Sequence, residues 1–296
     1  MARYLVGLLC CTLGCPAFAQ TNLSWKFKAG DIFFGEVKQN TFTTVTIRGL
    51  VQTQDLKQTT VSRYRVTEVR PDGMVVLERT VVNVAFENEA GLPEAQRIAQ
   101  LMQGMTFQLT IDPRKGQILR LEGHEDFLQR LAKIDNSAAE AMRVMLPPEA
   151  LIASLEAEFF HTPDRAVQKG DQWTTRFRMP MGPLGNLTGE NKYRLEEVQG
   201  TRHRLRYTTE AKITPPGAGG AAPQGMQIGA SQLEIKEAQG TVLFDAASSR
   251  VVEATQSLKF TIALKAEVKG EQVDMTLQQN SAQTIRFLDR NPLEKK

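Results

Sequence analysis

The sequence predicts an α+β protein that is mainly antiparallel β: an internally duplicated curved sheet or partly closed barrel, with a central helical insert as lid or plug. Three observations predict it. Strand-like sequence lies on both sides of one long helical stretch, Gly123 to Trp173. Three short motifs occur in the same order before and after that stretch. The 296-residue chain has three cysteines, Cys10, Cys11 and Cys15, all inside the first segment, so the remainder must be held by core burial rather than by disulfides.

That first segment reads as a targeting signal. Arg3 gives a basic start, and Tyr4 to Leu13 is an apolar run too short for a bilayer, which needs roughly 20 residues. Ala17-Phe18-Ala19 is a small-x-small cleavage site. Residues 1–19 are therefore expected to be a signal peptide, with the mature protein exported, periplasmic or extracellular. Lipidation at Cys15 is the weaker alternative, because Thr12 suits a lipobox poorly. The chain has 36 basic and 33 acidic residues, and losing Arg3 leaves 35 against 33, net +2. Nucleic-acid binders usually show a strong basic bias, so that class of partner is not expected. No further apolar run has membrane length.

In chain order, Trp25 and Phe27 alternate with Lys26 and Lys28, the period of a half-buried strand, and Gly30-Asp31 is a turn. Phe42 to Val51 and Val61 to Val69 read as strands. Arg70-Pro71-Asp72-Gly73 is a hairpin turn, and Met74 to Phe86, with its run of valines, is a strand buried on both faces. Leu92 to Met102 is a short helix opened by Pro93. Met105 to Leu121 is a hairpin turning at Asp112-Pro113-Arg114-Lys115-Gly116.

Helices follow. His124 to Ile134 carries Phe127, Leu128, Leu131 and Ile134 on one face. Ser137 with Glu140 suggests a capping box for a second helix ending at Met145. After Pro147-Pro148 a third carries Leu151, Ile152, Leu155, Phe159 and Phe160, and Pro163 stops it. Strands then resume: Trp173 to Met179, Leu187 to Val198, Arg204 to Ile213, Gln232 to Phe244, Val251 to Val268 and Val273 to Phe287. Thr214 to Gly229, rich in proline and glycine, is a loop between strands.

The recurring motifs suggest a duplication. Gly30-Asp31 matches Gly170-Asp171 at an offset of 140, and Tyr64 to Val69 matches Tyr193 to Val198 at 129. Leu109 to Pro113 matches Val242 to Ala246 at 133. The expected organisation is a single domain, 20–296: repeat one at about 25–121, the insert at 122–162 and repeat two at about 165–288. Two separate domains are the alternative.

Four motifs carry a likeness to a known family: Trp25 to Asp31, Leu109 to Gly123, Lys169-Gly170-Asp171-Gln172-Trp173, and Gly240-Thr241-Val242-Leu243-Phe244-Asp245. Through them the chain resembles an uncharacterised family of secreted bacterial proteins. That resemblance brings no activity and no catalytic residues. The order of strands, helices and strands also looks like the lipoprotein-carrier fold, an unclosed barrel closed by helices, and fold does not fix function.

Little in the sequence suggests chemistry. His124, His161 and His203 lack metal-ligand spacing and read as solvated surface histidines, so no metal and no cofactor are expected. There is no nucleophile elbow and no phosphate loop. Asp31 and Asp171 occupy matching places and could form a carboxylate pair, although an aspartate after a turn glycine more often bonds nearby amides. Arg202, Arg204 and Arg206 share one strand face, suited to an anionic partner or simply to solvent. Asn22-Leu23-Ser24 and Asn186-Leu187-Thr188 match glycosylation acceptors but are discounted, because the signal looks bacterial.

The reading the sequence supports is an exported non-enzymatic protein. It would bind a lipid or other apolar or amphipathic ligand between sheet and helices, contacted by Phe127, Leu131, Leu151, Leu155, Phe159, Trp25 and Trp173. The alternatives are a structural or protein-interaction module of the cell envelope with a packed core, and a hydrolase using Asp31 and Asp171.

Overall fold

The computed structural model describes residues 20–87, 93–163, 165–181, 185–214, 226–268 and 271–294. The expected signal segment and most of the expected 214–229 loop lie outside the described residues.

Among the described residues, eleven strands form one curved antiparallel sheet that does not close. They are β1 (Ile32–Ile47), β2 (Leu50–Val69), β3 (Val75–Glu87), β4 (Thr106–Asp112), β5 (Gln117–Glu122), β6 (Gln172–Pro180), β7 (Asn186–Gln199), β8 (Arg202–Thr214), β9 (Met226–Asp245), β10 (Arg250–Val268) and β11 (Glu271–Leu288). Among the described residues four helices accompany them: α1 (Pro93–Met102), α2 (His124–Ala132), α3 (Asn136–Met145) and α4 (Pro148–Glu156). The sheet order is β5-β4-β3-β2-β1-β11-β10-β9-β8-β7-β6. Strands from before and after the helices thus share one hydrogen-bonded sheet, joined where β1 pairs with β11. The free edges are β5 and β6, and α4 touches both.

Period-two alternation sorts the sheet into two faces. Phe33, Tyr64, Leu77, Leu109, Leu195, Leu205, Phe244 and Phe287 are buried on the concave face, packed with Phe127, Leu128, Leu131 and Leu155 of the helices. Lys38, Lys192, Lys212, Lys259 and Arg286 alternate with inward residues and fall on the convex face. This is apolar-in, polar-out, the reverse of a transmembrane barrel, whose outer band is apolar. No described helix is long and apolar enough to cross a membrane.

Several local expectations need correction. Trp25 to Asp31 is not a strand. It is an irregular extended run stitched in by Trp25 N–H to Pro113 O (3.2 Å) and Lys26 N–H to Ser249 O (3.2 Å). The expected single strand Phe42 to Val51 is broken at Arg48-Gly49 into the end of β1 and the start of β2, a turn without the asparagine-glycine signal, and both strands run longer than expected. Arg48 and Gly49, with φ of 50° and 81°, make a two-residue hairpin with both residues left-handed, a shape that favours Asn-Gly. The cap of α3 is Asp135, whose carboxylate accepts the Ala138 N–H at 2.9 Å, and not Ser137. The helix after Pro147, α4, ends at Glu156, so Phe159 and Phe160 lie in the turn that follows it.

Candidate functional site

Phe159 and Phe160 leave the end of α4 toward different parts of the concave face. Phe159 stands edge-on to Tyr64 (5.8 Å, 88°), which itself stacks on Phe33 (5.0 Å, 4°). Phe160 stands edge-on to Tyr193 (5.1 Å, 81°), which stacks on Trp173 (5.5 Å, 15°). On the Phe159 side the interior is full. Trp25 packs on Phe27, Phe159 and Phe287 with centroids 5.3–5.6 Å apart, a dense aromatic cluster.

On the Phe160 side the interior is open. A cavity of about 210 Å³ lies between residues 153–161 and the concave face of β6 to β11. Its wall is mostly apolar: Phe177, Met179, Leu187, Ile213, Leu258 and Phe260 are representative. Gly240 shapes its floor. A Cβ there would meet the Tyr207 ring atoms at 2.5 Å and the Thr255 carbonyl, so only glycine lets the tyrosine lie flat across β9.

Among the described residues, the charged groups in this wall are Glu156, Glu158 and Arg178, with His161 alongside. Arg178 alternates with Phe177 and Met179, is exposed, and donates to Asn186 Oδ1 at 3.1 Å, so its charge belongs to the convex face. Glu158 is held by Arg79 (3.2 Å) and Tyr64 (2.5 Å). Glu156 accepts the Ile118 N–H at 2.8 Å, and burial raises its carboxyl pKa against that bond. Burial lowers the His161 pKa, which favours the neutral ring. Burial pushes the Tyr193 and Tyr207 hydroxyls upward, keeping both protonated.

The residues expected to contact a ligand fall in three places. Phe159 lies on the cavity wall. Trp25, Phe127, Leu131 and Leu155 are buried in the packed core, with Leu151 half-buried against it. Trp173 is half-buried beside Tyr193, a wall residue. The wall residues of β6 to β11 were not singled out from sequence. Their alternation was visible, but nothing in it marks which alternating strands enclose space rather than solid core.

The remaining candidates have local roles. Asp31 accepts the Lys28 N–H (2.8 Å) and Asp171 accepts the Gln168 N–H (3.2 Å), each closing the turn before its own strand. Asp171 also binds Arg165 at 2.8 Å, which holds its carboxyl below the usual range. Five strands separate β1 from β6 in the sheet. The histidines are not solvated as expected. His124 and His203 are buried with ring nitrogens against the Leu146 and Thr201 carbonyls, both at 3.0 Å, and His161 is half-buried. No group of three metal-ligating side chains converges among the described residues. Arg202, Arg204 and Arg206 are exposed; Arg204 pairs with Glu197 (3.8 Å) and Arg206 donates to Gln239 (3.0 Å).

Fold and site together define a curved antiparallel sheet with an apolar cavity under a helical segment. The chain belongs to DUF6263, a family of unknown function whose model matches residues 80–251. No curated protein matches it. Among solved structures it is similar to lipovitellin, in a structure describing its lipid–protein interactions, at 9% identity and TM-score 0.44. That alignment covers 92% of this chain and 27% of the lipovitellin chain. It is also similar to the outer membrane protein OprG from Pseudomonas aeruginosa, at 6% identity and TM-score 0.20 over 90% of this chain and 99% of that one. OccAB4 of Acinetobacter baumannii gives 6% identity and TM-score 0.21 over 88% and 99%.

Proposed function

We propose that the protein is an exported, non-enzymatic binding protein that holds an apolar or amphipathic ligand such as a lipid in the cavity beneath residues 153–161. The observation that carries this reading is the cavity of about 210 Å³ with its mostly apolar wall. An unfilled apolar space forfeits dispersion contacts, so it persists where a ligand restores them. The helical segment is the lid. Its turn, Phe159 and Phe160, seals the full side of the interior and roofs the open side.

The same reading treats residues 20–296 as one domain with an internal duplication. Gly30 N–H bonds Val66 O and Gly170 N–H bonds Leu195 O, both at 2.8 Å. Val66 N–H bonds Asp31 O (2.9 Å) and Leu195 N–H bonds Asp171 O (3.0 Å). The bulge after Val66 is repeated after Leu195. Asp112 and Asp245 each accept the N–H two residues on, at 3.0 Å.

Native mass spectrometry of protein purified without detergent from the producing cell envelope tests the function. A bound mass released by denaturation, with a mature chain beginning at Gln20, is expected. An empty protein that also fails to take up added amphiphiles would sink the reading. The solid interior on the Phe159 side favours a second reading, a packed envelope module acting through its surface. Cross-linking in cells to one dominant protein partner, with no bound small molecule, would select it.

A further inference from the structure

A row of glutamines crosses the concave face at the level of the cavity floor. Register places Gln58 opposite Gln39, Gln39 opposite Gln283, and Gln283 opposite Gln256. The row continues through Gly240, Tyr207, Tyr193 and Trp173. Cross-strand partners share a face, so four amides stand side by side on β2, β1, β11 and β10. Gln58 and Gln39 are engaged locally, donating to Thr60 Oγ1 (3.0 Å) and Thr41 Oγ1 (3.1 Å). Gln256 and Gln283 are half-buried in the cavity wall itself, between apolar Ala254 and Ile285 below and Leu258 above.

We propose that Gln256 and Gln283 form the polar subsite of the cavity and select an uncharged amphiphile, one hydrocarbon chain bearing a hydroxyl, ester or amide group. This rests on the cavity being the binding site. Each amide offers two donors and one acceptor, which suits a neutral head that both gives and accepts hydrogen bonds. Among the described residues the wall offers an anionic head no free counter-charge. Arg79, which reaches Glu158 from the packed side, is already taken by it, and Arg178 points to the convex face. Burying a carboxylate or phosphate without a cation costs far more than burying a hydrogen-bonded neutral group. The carboxyl of Glu156, the wall's other acidic group, has no cation paired with it among the described residues to draw an anion in.

The test compares three probes on the full mature chain at neutral pH: an alkane, a fatty acid and the monoacylglycerol of the same chain length. Binding is read by quenching of tryptophan fluorescence and by native mass spectrometry. The expected result is that the monoacylglycerol binds at least about tenfold tighter than the fatty acid. The double variant Gln256→Leu/Gln283→Leu should erase that preference while retaining alkane binding. If it fails to fold, Gln256→Asn and Gln283→Asn, which shorten the reach but keep the amide, should each reduce the preference. A fatty acid that binds as tightly as the monoacylglycerol, or a preference untouched by these changes, overturns the subsite. Failure of all three probes to bind overturns the cavity reading beneath it.

Discussion

Arg79 of β3 reaches Glu158, beyond the end of α4, across the interior: Nη2 lies 3.2 Å from Oε1 and both side chains are about nine-tenths buried. Tyr64 joins them, donating to Glu158 Oε2 at 2.5 Å and accepting from Arg79 Nε at 3.0 Å. Burial alone would lower the Arg79 pKa, but the Glu158 charge, Tyr64 and the hydrogen bonds to both together more than offset it, and the guanidinium stays ionised. Burial also keeps the Tyr64 hydroxyl protonated. This network pins the turn that carries Phe159 and Phe160 to the sheet, so it fixes the roof of the cavity from the packed side.

Arg79→Ala or Glu158→Ala alone should therefore destabilise the protein by about 3–5 kcal/mol, because each strands a buried charge. Removing both together, as Arg79→Met/Glu158→Leu, should recover part of that loss, since two apolar groups of similar size need no partner and only the Tyr64 hydroxyl is left unsatisfied. Urea unfolding of the three variants measures it. Equal destabilisation by the double and single changes would show that the ion pair itself carries net stability.

Gly116 is the second fixed point of the same turn. Its φ is +66°, and a Cβ there would press into the Phe160 carbonyl. Gly116→Ala should cost more than about 1 kcal/mol, the left-handed penalty alone, because backbone must also move. Gly73, also left-handed but with nothing near its Cβ position, is the control: Gly73→Ala should show the conformational penalty without the clash. Thermal unfolding of both variants separates the two contributions.

Filling the cavity tests binding without touching the polar row. Ala254 lies on the floor between β9 and β11. Ala254→Leu adds volume to empty space, so it should lower affinity for any apolar probe by tenfold or more, about 1.4 kcal/mol. Stability should change by less than the roughly 1–3 kcal/mol typical of overpacking a full core. A variant that binds normally but unfolds early would mean that the space is not where the ligand sits.

How far this was legible in the sequence depended on whether the signal was local. The alternation of Leu258, Phe260, Ile262 and Leu264 marked β10 because side-chain period follows from pleat alone. The turns at Gly30-Asp31 and Gly170-Asp171 were legible because glycine and aspartate act within three residues. The Arg48-Gly49 hairpin was missed because the sheet twist imposes its shape on a residue that does not favour it. Arg79 was not singled out, because its partner lies 79 residues away. The glutamine row is invisible without register. Gln58, Gln39, Gln283 and Gln256 come together only once β1 pairs with β11, a contact between the two ends of the chain.

The last expectation concerns acid. His161 lies in the cavity wall near Glu156 and Glu158, and burial lowers its pKa below the ordinary 6.5. A group whose folded pKa is depressed gives stability that is complete above its unfolded value and is lost as pH falls toward the folded value. As pH drops through 6.5, the unfolded chain takes up a proton that the folded chain resists, so stability should decline from pH 6.5 downward. Glu156 acts oppositely. Its raised pKa means stability present below 4.5 and lost as pH rises through the folded value, so it cannot produce a loss on acidification. Urea midpoints of the parent chain and His161→Gln between about pH 8 and 5 isolate the histidine, since the reference imidazole titrates in that window. The parent should lose stability relative to the variant as pH falls. Parallel profiles would mean that His161 titrates alike in both states and that the roof of the cavity is open to water.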